Sequence, residues 1–283
     1  MLRDCYSACR GALQNGGIEA PDFEALCLLE HVTGYGRSGL IAHGDAPVPE
    51  EQKALLHELT QKRLTHYPLQ YLLGEWSFMG FPLSVGEGVL IPRDDTEVCT
   101  GLCLEHLKGK PNAAAIDLCS GSGAIAIALE KLGHAAVTAV ELSEQAFSFL
   151  TKNIHTNNCR VKAVRGDVFS CHTQFPDDSF DLIVSNPPYI CRDELPSLQA
   201  EVQFEPAMAL DGGADGYRFY TAILQNWSRK LKTGGALVFE LGEGQAAQVG
   251  ALMCEQGFAD IRTEQDLGGC ERAIIGIRQS TVR

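Results

Sequence analysis

The sequence has 283 residues, of which 45% are hydrophobic and 21% are charged. This length fits about two domains, and this composition is typical of globular proteins and excludes disorder or a collagen-like rod. No apolar run approaches the ~20 residues that cross a bilayer. Asp4 and Arg10 interrupt the apolar start that a signal peptide would need. We therefore expect a cytoplasmic protein without a membrane partner.

The charge balance is acidic, with 23 Lys and Arg against 36 Asp and Glu and a net charge of −13. Both halves of the chain share the acidic excess, so neither supplies the broad basic surface that double-stranded DNA usually requires. A local basic groove stays open as an alternative. We do not expect nucleic acid to be the substrate.

Eleven cysteines are present, but none forms a Cys-x-x-Cys pair. Cys5 and Cys9, like Cys99 and Cys103, lie one helical turn apart, where they could bind a metal ion or face a core. Zinc sites combine tighter pairs with matching histidines, which are missing here. We interpret the cysteines as reduced thiols and expect no metal site.

Residues 1–73 are predicted to form a helical bundle. Apolar residues recur at three- and four-residue spacing, as in Phe23, Leu26 and Cys27. Pro21 followed by an acid indicates a helix start, since proline is tolerated in the first turn. This segment contains no cofactor motif, so we expect it to bind a protein substrate, with a purely stabilising role as the alternative.

Residues 74–93 alternate aromatic residues with glycines, which predicts a β-hairpin that links two domains. Residues 94–283 then alternate strands with helices, which predicts a parallel sheet covered on both faces. The final strand, near 271–277, follows the strand at 257–263 through a short turn, so it should be antiparallel. The predicted fold class is α/β, with a doubly wound Rossmann-like sheet and a late antiparallel strand.

The first strand of this domain leads into a glycine-containing turn and then a helix. Gly121 and Gly123 let the backbone turn sharply and approach a ligand closely. Glu141 ends the second strand, where a carboxylate can accept hydrogen bonds from both ribose hydroxyls. This pattern favours a nucleoside cofactor over an ordinary turn, but it does not separate NAD from S-adenosylmethionine.

The fourth strand ends in Asn186-Pro187-Pro188-Tyr189, at the same sheet edge as Gly121. The two prolines stiffen the loop, and the Asn186 carbonyl together with a proline carbonyl can accept both hydrogens of a planar NH2 group. Tyr189 offers a flat surface for an amide or a base. Such a clamp stabilises positive charge on a poorly nucleophilic nitrogen during methylation, whereas NAD chemistry needs none of these groups.

Four motifs together resemble the HemK/PrmC family of release factor glutamine N5-methyltransferases. They are Pro68-Leu-Gln-Tyr-Leu-x-Gly74, Leu90-Ile-Pro-Arg-Asp-Asp-Thr-Glu97, Asp117-Leu-Cys-Ser-Gly-Ser-Gly123 and Ser185-Asn-Pro-Pro-Tyr-Ile190. The resemblance covers nearly the whole chain and implies a class I methyltransferase that uses S-adenosylmethionine. Its implied substrate is the glutamine of the Gly-Gly-Gln loop of peptide chain release factors.

The resemblance also implies roles for individual residues. Asn186, Pro187, Pro188 and Tyr189 would hold the substrate glutamine, with Asn186, Pro187 and Tyr189 catalytic. The implied cofactor contacts are Cys119, Ser120, Gly121, Ser122, Gly123, Glu141, Val168 and Asn186.

Three positions depart from the pattern of the family. Cys119 stands where many members have glycine, Asp94 stands where proline is usual, and Val168 stands where many members have an aromatic residue. The Glu205-Pro206 segment resembles a stretch beside the family's active site, or it is simply a turn with a helix cap.

Three other functions remain open at this stage. A ribosomal-protein glutamine methyltransferase would use the same clamp, and adenine-N6 methyltransferases of nucleic acids share the Asn-Pro-Pro-Tyr tetrapeptide. A cofactor-binding module without activity is the alternative from a different class, against which the intact Asn186 and glycine turn argue.

Overall fold

The structure is a computed structural model that describes residues 1–280. The chain divides into two compact units. The N-terminal unit comprises Met1–Glu75 together with Gln199–Phe204. The sheet unit comprises Trp76–Leu198 and the chain from Glu205 onward.

The N-terminal unit is helical, as the apolar spacing predicts. Its helices are α1 (Leu2–Asn15), α2 (Pro21–Thr33), α3 (Arg37–His43), α4 (Glu50–Arg63) and α5 (Leu69–Leu73). Pro21 begins α2, and Gly34, with φ of 75°, ends it in the left-handed conformation that glycine adopts without strain. Fully buried leucines such as Leu13, Leu28 and Leu29 form its core.

The segment Gln199–Phe204 belongs to the N-terminal unit, although the sequence places it within the predicted 94–283 domain. Two contacts explain this difference. Arg63 Nη1 donates to Glu201 Oε1 at 3.0 Å, and the rings of Tyr67 and Phe204 meet edge to face at 5.4 Å between centroids. These partners lie more than a hundred residues apart in the chain, where periodicity carries no information.

The predicted hairpin spans β1 (Glu75–Phe78) and β2 (Phe81–Ser84), which form a two-stranded sheet in the sheet unit. Its turn places Met79 and Gly80 at positive φ. Asn153 fixes β2 to the helix behind it, since Oδ1 accepts from Ser84 N–H at 2.7 Å and Nδ2 donates to the Ser84 carbonyl at 3.1 Å.

The large sheet has seven strands, in the spatial order β5-β4-β3-β6-β7-β9-β8. They are β3 (Ala114–Leu118), β4 (Ala136–Glu141), β5 (Lys162–Arg165), β6 (Phe180–Ser185), β7 (Leu231–Glu240), β8 (Phe258–Gln265) and β9 (Glu271–Arg278). β9 pairs antiparallel with both β7 and β8, whereas the other pairs are parallel. The predicted α/β fold class with a late antiparallel strand is confirmed.

Helices cover both faces of this sheet. They are α6 (Asp95–Leu107), α7 (Ala124–Gly133), α8 (Glu144–Thr156), α9 (Arg218–Trp227) and α10 (Ala246–Glu255). One core layer packs Leu102, Leu129 and Leu150 against the sheet. The opposite layer is built around Trp227 and Met253. The sequence pattern does not predict a helix for the α6 and α9 segments.

All eleven cysteines are free thiols; Cys9, Cys99, Cys103 and Cys171 are buried, whereas Cys254 is exposed. Among residues 1–280, no cluster of three or more His, Cys, Asp or Glu side chains could hold a metal ion. In the same described range, no helix combines the length and apolar character needed to cross a membrane.

Candidate active site

A cavity of ≈ 410 Å³ opens at the carboxyl ends of β3, β4 and β6 in the sheet unit. This is the edge of a parallel sheet at which ligands bind, because adjacent strands diverge there into their loops. Six of the predicted site residues line it: Cys119, Gly121, Glu141, Val168, Asn186 and Pro188. The other five, Ser120, Ser122, Gly123, Pro187 and Tyr189, are outside this lining.

The turn after β3 holds three residues with positive φ: Cys119 at 62°, Gly121 at 54° and Gly123 at 87°. Glycine adopts this conformation freely, whereas a residue with Cβ pays about 1–2 kcal/mol. The φ of Cys119 thus gives a physical reason for the glycine that many HemK/PrmC members have there. Ser120 Oγ donates to the Asp117 carbonyl at 2.8 Å and stabilises the turn from inside.

Glu141 lies at the end of β4 with 8% of its surface exposed. Its Oε2 accepts from Gly121 N–H at 2.8 Å and its Oε1 accepts from Ser143 N–H at 2.7 Å. Burial raises the pKa of this carboxyl, and the backbone donors oppose the rise. Each oxygen keeps a second lone pair, so the carboxylate can still accept the two ribose hydroxyls.

An aromatic wall lies where the sequence offers only Val168. The Val168 side chain lines the cavity, and its carbonyl accepts from Trp227 Nε1 at 2.9 Å. The next residue, Phe169, also lines the cavity, and its ring lies 5.0 Å from that of Phe219 and 4.7 Å from the Arg218 guanidinium. This pair of rings is not predicted from the sequence, although the Gly166-Asp-Val-Phe169 segment contains the first of the two rings.

The charges around the cavity discriminate between the two cofactors left open by the sequence. Glu141, Asp167 and Asp211 line it with carboxyl groups, against the single guanidinium of Arg218. This excess of acids repels the pyrophosphate of NAD and attracts the sulfonium and ammonium groups of S-adenosylmethionine. The residues present therefore fit S-adenosylmethionine.

Asn186, the first residue of the tetrapeptide, lines the cavity, and its Nδ2 donates to Thr96 Oγ1 at 3.3 Å. The amide oxygen is thereby the group left to accept from a ligand. Tyr189 is turned toward β7, where its hydroxyl donates to Glu240 Oε1 at 3.4 Å. Its carbonyl accepts from Gln245 Nε2 at 3.0 Å, so the loop is fixed at both ends.

The Glu205-Pro206 segment also contributes to the cavity. Pro206, Met208 and Ala209 line it. The buried Glu205 accepts from Ile91 N–H at 2.9 Å and from the Arg93 guanidinium. The segment is therefore part of the site wall and is more than a turn with a cap.

Two family models match the chain: "PrmC N-terminal domain" over residues 4–74 and "Methyltransferase small domain" over residues 88–204. A release factor glutamine methyltransferase of Geobacter sulfurreducens is 42% identical over 278 residues, covering 97% of this chain and 96% of the relative. One from Clostridium botulinum is 34% identical and covers 97% and 98%.

The chain belongs to the release factor glutamine methyltransferase family. Membership confirms the resemblance seen in the sequence and makes the protein a methyltransferase.

Solved structures agree at the level of the fold. A methyltransferase from Pyrococcus furiosus aligns with a TM-score of 0.53 at 18% identity, covering 72% of this chain and 92% of that one. A ribosomal protein L11 methylase from Lactobacillus delbrueckii subsp. bulgaricus gives a TM-score of 0.51 at 20% identity, covering 70% and 84%. The methyltransferase family model and this methyltransferase fold both support S-adenosylmethionine as the cofactor.

Proposed function

We propose that this enzyme transfers a methyl group from S-adenosylmethionine to the side-chain amide nitrogen, N5, of a glutamine in a peptide chain release factor. One observation carries the proposal. Asn186, which begins an Asn-Pro-Pro-Tyr tetrapeptide, lines the same cavity as Gly121 and Glu141. The relatives' names supply the substrate, and by the resemblance its glutamine is that of the Gly-Gly-Gln loop.

The cofactor would be held by the turn at Cys119–Gly123, by Glu141 at the ribose and by the wall at Val168 and Phe169. Bound S-adenosylmethionine supplies a methyl group on an electrophilic sulfonium. The carboxylates that line the cavity favour this cation. Phe169 and Phe219 offer ring faces against which the adenine can pack, whereas Val168 has no aromatic ring.

Asn186 acts on the acceptor nitrogen. An amide nitrogen is a poor nucleophile because its lone pair is delocalised into the carbonyl. The Asn186 carbonyl and a proline carbonyl of the tetrapeptide accept hydrogen bonds from the two N–H groups of the substrate amide. These hydrogen bonds favour pyramidalisation and stabilise the positive charge that develops on the nitrogen. No strong base is needed, because the proton becomes acidic once the nitrogen is alkylated.

Selection among proteins needs contacts remote from this clamp, since every exposed glutamine has the same amide. We propose that residues 1–73 recognise the release factor, that residues 74–93 link the domains and that residues 94–283 carry catalysis. A net charge of −13 disfavours nucleic acid as the substrate. Since release factors act on ribosomes, the proposal also implies a cytoplasmic reaction.

The experiment incubates the purified enzyme with labelled S-adenosylmethionine and, separately, with a release factor, a ribosomal protein or DNA. We expect label on the Gly-Gly-Gln glutamine of the release factor, located by mass spectrometry of its peptides. Label on DNA alone, or on the ribosomal protein alone, would overturn the proposal in favour of that substrate. No label on any of them would indicate a binding module without activity.

Two variants then separate the roles within the site. Asn186→Ala should lower turnover by about 100-fold or more, because it removes a hydrogen bond that is strongest in the transition state, and should leave cofactor affinity nearly unchanged. Glu141→Ala should do the reverse and weaken cofactor binding by ~1–3 kcal/mol in calorimetry. Normal turnover of Asn186→Ala would remove Asn186 from the mechanism.

A further inference from the structure

A buried carboxylate lies behind the tetrapeptide and faces groups at both of its ends. Glu240, the last residue of β7, is 1% exposed. Its Oε1 accepts from the Tyr189 hydroxyl at 3.4 Å, and the nearby Thr96 hydroxyl of α6 lowers the pKa of this carboxyl. Thr96 is itself buried, and its Oγ1 accepts from Asn186 Nδ2 at 3.3 Å. Glu240 therefore faces Tyr189 directly and reaches Asn186 through Thr96.

Strand geometry explains why these groups meet. Residues two apart on a strand point to the same face, and Val184 of β6 is in register with Val238 of β7. Counting two residues onward from this pair places Asn186 and Glu240 on the same face of the sheet, toward α6. Thr96 lies in the first turn of α6, and its hydroxyl contacts Asn186 from that helix.

The carboxylate is costly to keep there. Among residues 1–280, its Oε2 finds no hydrogen-bond partner, and a buried acceptor without a partner destabilises the fold. Burial raises the pKa of Glu240 to about 7; the charge of Asp95 adds to the rise, whereas Thr96, Tyr189 and Arg272 oppose it. A neutral apolar residue would fill this place at lower cost, so stability does not account for the acid.

Hydrogen-bond direction gives the acid a role. A carboxylate only accepts, and a threonine hydroxyl has one proton. When Thr96 donates that proton to Glu240, only its lone pairs remain for Asn186. The Asn186 amide, whose two ends have nearly the same shape, must then offer Nδ2 to Thr96 and keep its carbonyl oxygen for the cavity.

We infer that Thr96 and Glu240 are positioning residues that fix the amide orientation of Asn186, so that it presents an acceptor and no donor to the substrate amide. The inference rests on the proposed function. It also gives a role to the Leu90–Glu97 motif, in which Thr96 is the residue that contacts the tetrapeptide. Without the Thr96 hydroxyl and the Glu240 carboxylate together, the Asn186 amide could also adopt the reversed orientation. Its NH2 group would then face the cavity and repel the NH2 group of the substrate.

The first test replaces the hydroxyl. Thr96→Val, which keeps the shape, should lower turnover about 10- to 100-fold with S-adenosylmethionine affinity within about twofold of wild type. Thr96→Ser, which keeps the hydroxyl, should retain turnover within about threefold. The matched control is Thr100→Val, one turn along α6, since Thr100 is also buried and its hydroxyl donates to the Thr96 carbonyl at 2.9 Å.

The second test is a double-mutant cycle. Glu240→Gln keeps the size of the side chain but offers a donor to Thr96, so it should lower turnover by a similar factor. If Glu240 acts through Thr96, adding Glu240→Gln to Thr96→Val should cost less than about threefold more. Losses that multiply in the double variant would overturn the inference.

Failure of the inference is distinguishable from failure of the proposed function. A wild-type enzyme that does not methylate the release factor would refute the proposed function. An active wild type with Thr96→Val or Glu240→Gln at full turnover would refute the positioning role alone. If Thr96→Val does not fold, as judged by circular dichroism, Glu240→Gln still decides the question, because it keeps the Thr96 hydroxyl. A loss of turnover in Thr100→Val equal to that in Thr96→Val would indicate a merely structural effect and overturn the inference.

Discussion

Two glycines of the turn after β3, Gly121 and Gly123, both have positive φ but lie in different surroundings. A Cβ on Gly121 would meet no atom within 4 Å, whereas one on Gly123 would lie 2.6 Å from Leu150 Cδ1. Leu150 is fully buried, so it has little room to move. One position therefore serves the cavity and the other serves the packing beneath it.

We expect Gly121→Ala and Gly123→Ala to separate binding from stability. Both pay about 1–2 kcal/mol for positive φ, and Gly123→Ala adds about 1–3 kcal/mol of overpacking. Gly121→Ala should instead weaken cofactor affinity, because its methyl group enters space at the cavity wall. Denaturant unfolding and calorimetry check the two effects, and equal loss of stability in both variants would contradict this reading.

The ionisation of Glu240 predicts a pH dependence of turnover. Its pKa is about 7, so it is protonated at lower pH and can then donate to Thr96, which permits the reversed Asn186 amide. Turnover should therefore rise as the pH increases through about 7. Other titratable groups also surround this carboxyl: Asp95, Cys99, Tyr189, Tyr220 and Arg272.

The pH profile is measured as turnover at saturating cofactor and release factor. Glu240→Gln is the control, because it removes the titrating group and should flatten the profile. A rise that persists unchanged in Glu240→Gln would assign the pH dependence to one of the neighbouring groups.

At the scale of elements, Asn153 joins three parts of the sheet unit. Its side chain forms hydrogen bonds with both backbone groups of Ser84 on β2. Its Nδ2 also donates to the carbonyl of Ser122, in the turn after β3, at 2.9 Å. Asn153 is fully buried within α8. The hairpin that the sequence predicts as a linker is thus tied to the turn through one amide.

Asn153→Leu should lower the free energy of unfolding by about 2–4 kcal/mol, because it leaves one buried and two part-buried backbone groups without their partner. The control is Asn157→Ala, at the residue that follows α8, whose Nδ2 donates to the Pro82 carbonyl at 2.8 Å near solvent and to the Asn153 carbonyl at 3.0 Å. It should cost about 1 kcal/mol. Denaturant unfolding compares the two, and a similar cost for both would show that the bridge is unimportant.

The sequence predicts the strands of the sheet better than its helices. Buried parallel strands such as β4 and β6 are short apolar runs bounded by turns, which is a pattern that the sequence shows directly. The sequence does not predict α6 because its Thr, Val and Gly residues have low helix propensity, so tertiary packing determines this helix. α9 likewise follows a glycine-rich stretch, and it contains aromatic and β-branched residues that have low helix propensity.

The same distinction holds in the site. The meeting of Gly121, Glu141 and Asn186 could be predicted, since topology alone brings the ends of adjacent strands together. Thr96 could not be predicted, because its contact with Asn186 joins residues 90 apart through a helix that the sequence does not reveal.

At the scale of the whole molecule, the chain passes from the sheet unit into the N-terminal unit at Gln199 and returns at Glu205. Within the N-terminal unit, Arg63 anchors this segment through Glu201 and also pairs with Glu24, at 2.5 and 3.0 Å. Arg63 is only 5% exposed, so removing its charge would leave a buried carboxylate unpaired.

Arg63→Met should therefore destabilise the N-terminal unit by about 3–5 kcal/mol. Arg10→Met is the control, because the Arg10–Asp22 pair is 41% and 63% exposed and should contribute little to stability. Cofactor affinity should not change in either variant, since every residue that lines the cavity belongs to the sheet unit. Weaker cofactor binding in Arg63→Met, or equal stability of both variants, would contradict the prediction.

The placement of the thiols has a consequence for alkylation chemistry. A thiol must reach solvent and ionise before an alkylating reagent can attack it. Cys254 is exposed and should react in the native protein, whereas Cys9 in the N-terminal unit and Cys99 in the sheet unit are buried. Each buried thiol becomes reactive only when its own unit opens. The rates at which Cys9 and Cys99 peptides gain the label therefore measure separately how often each unit unfolds.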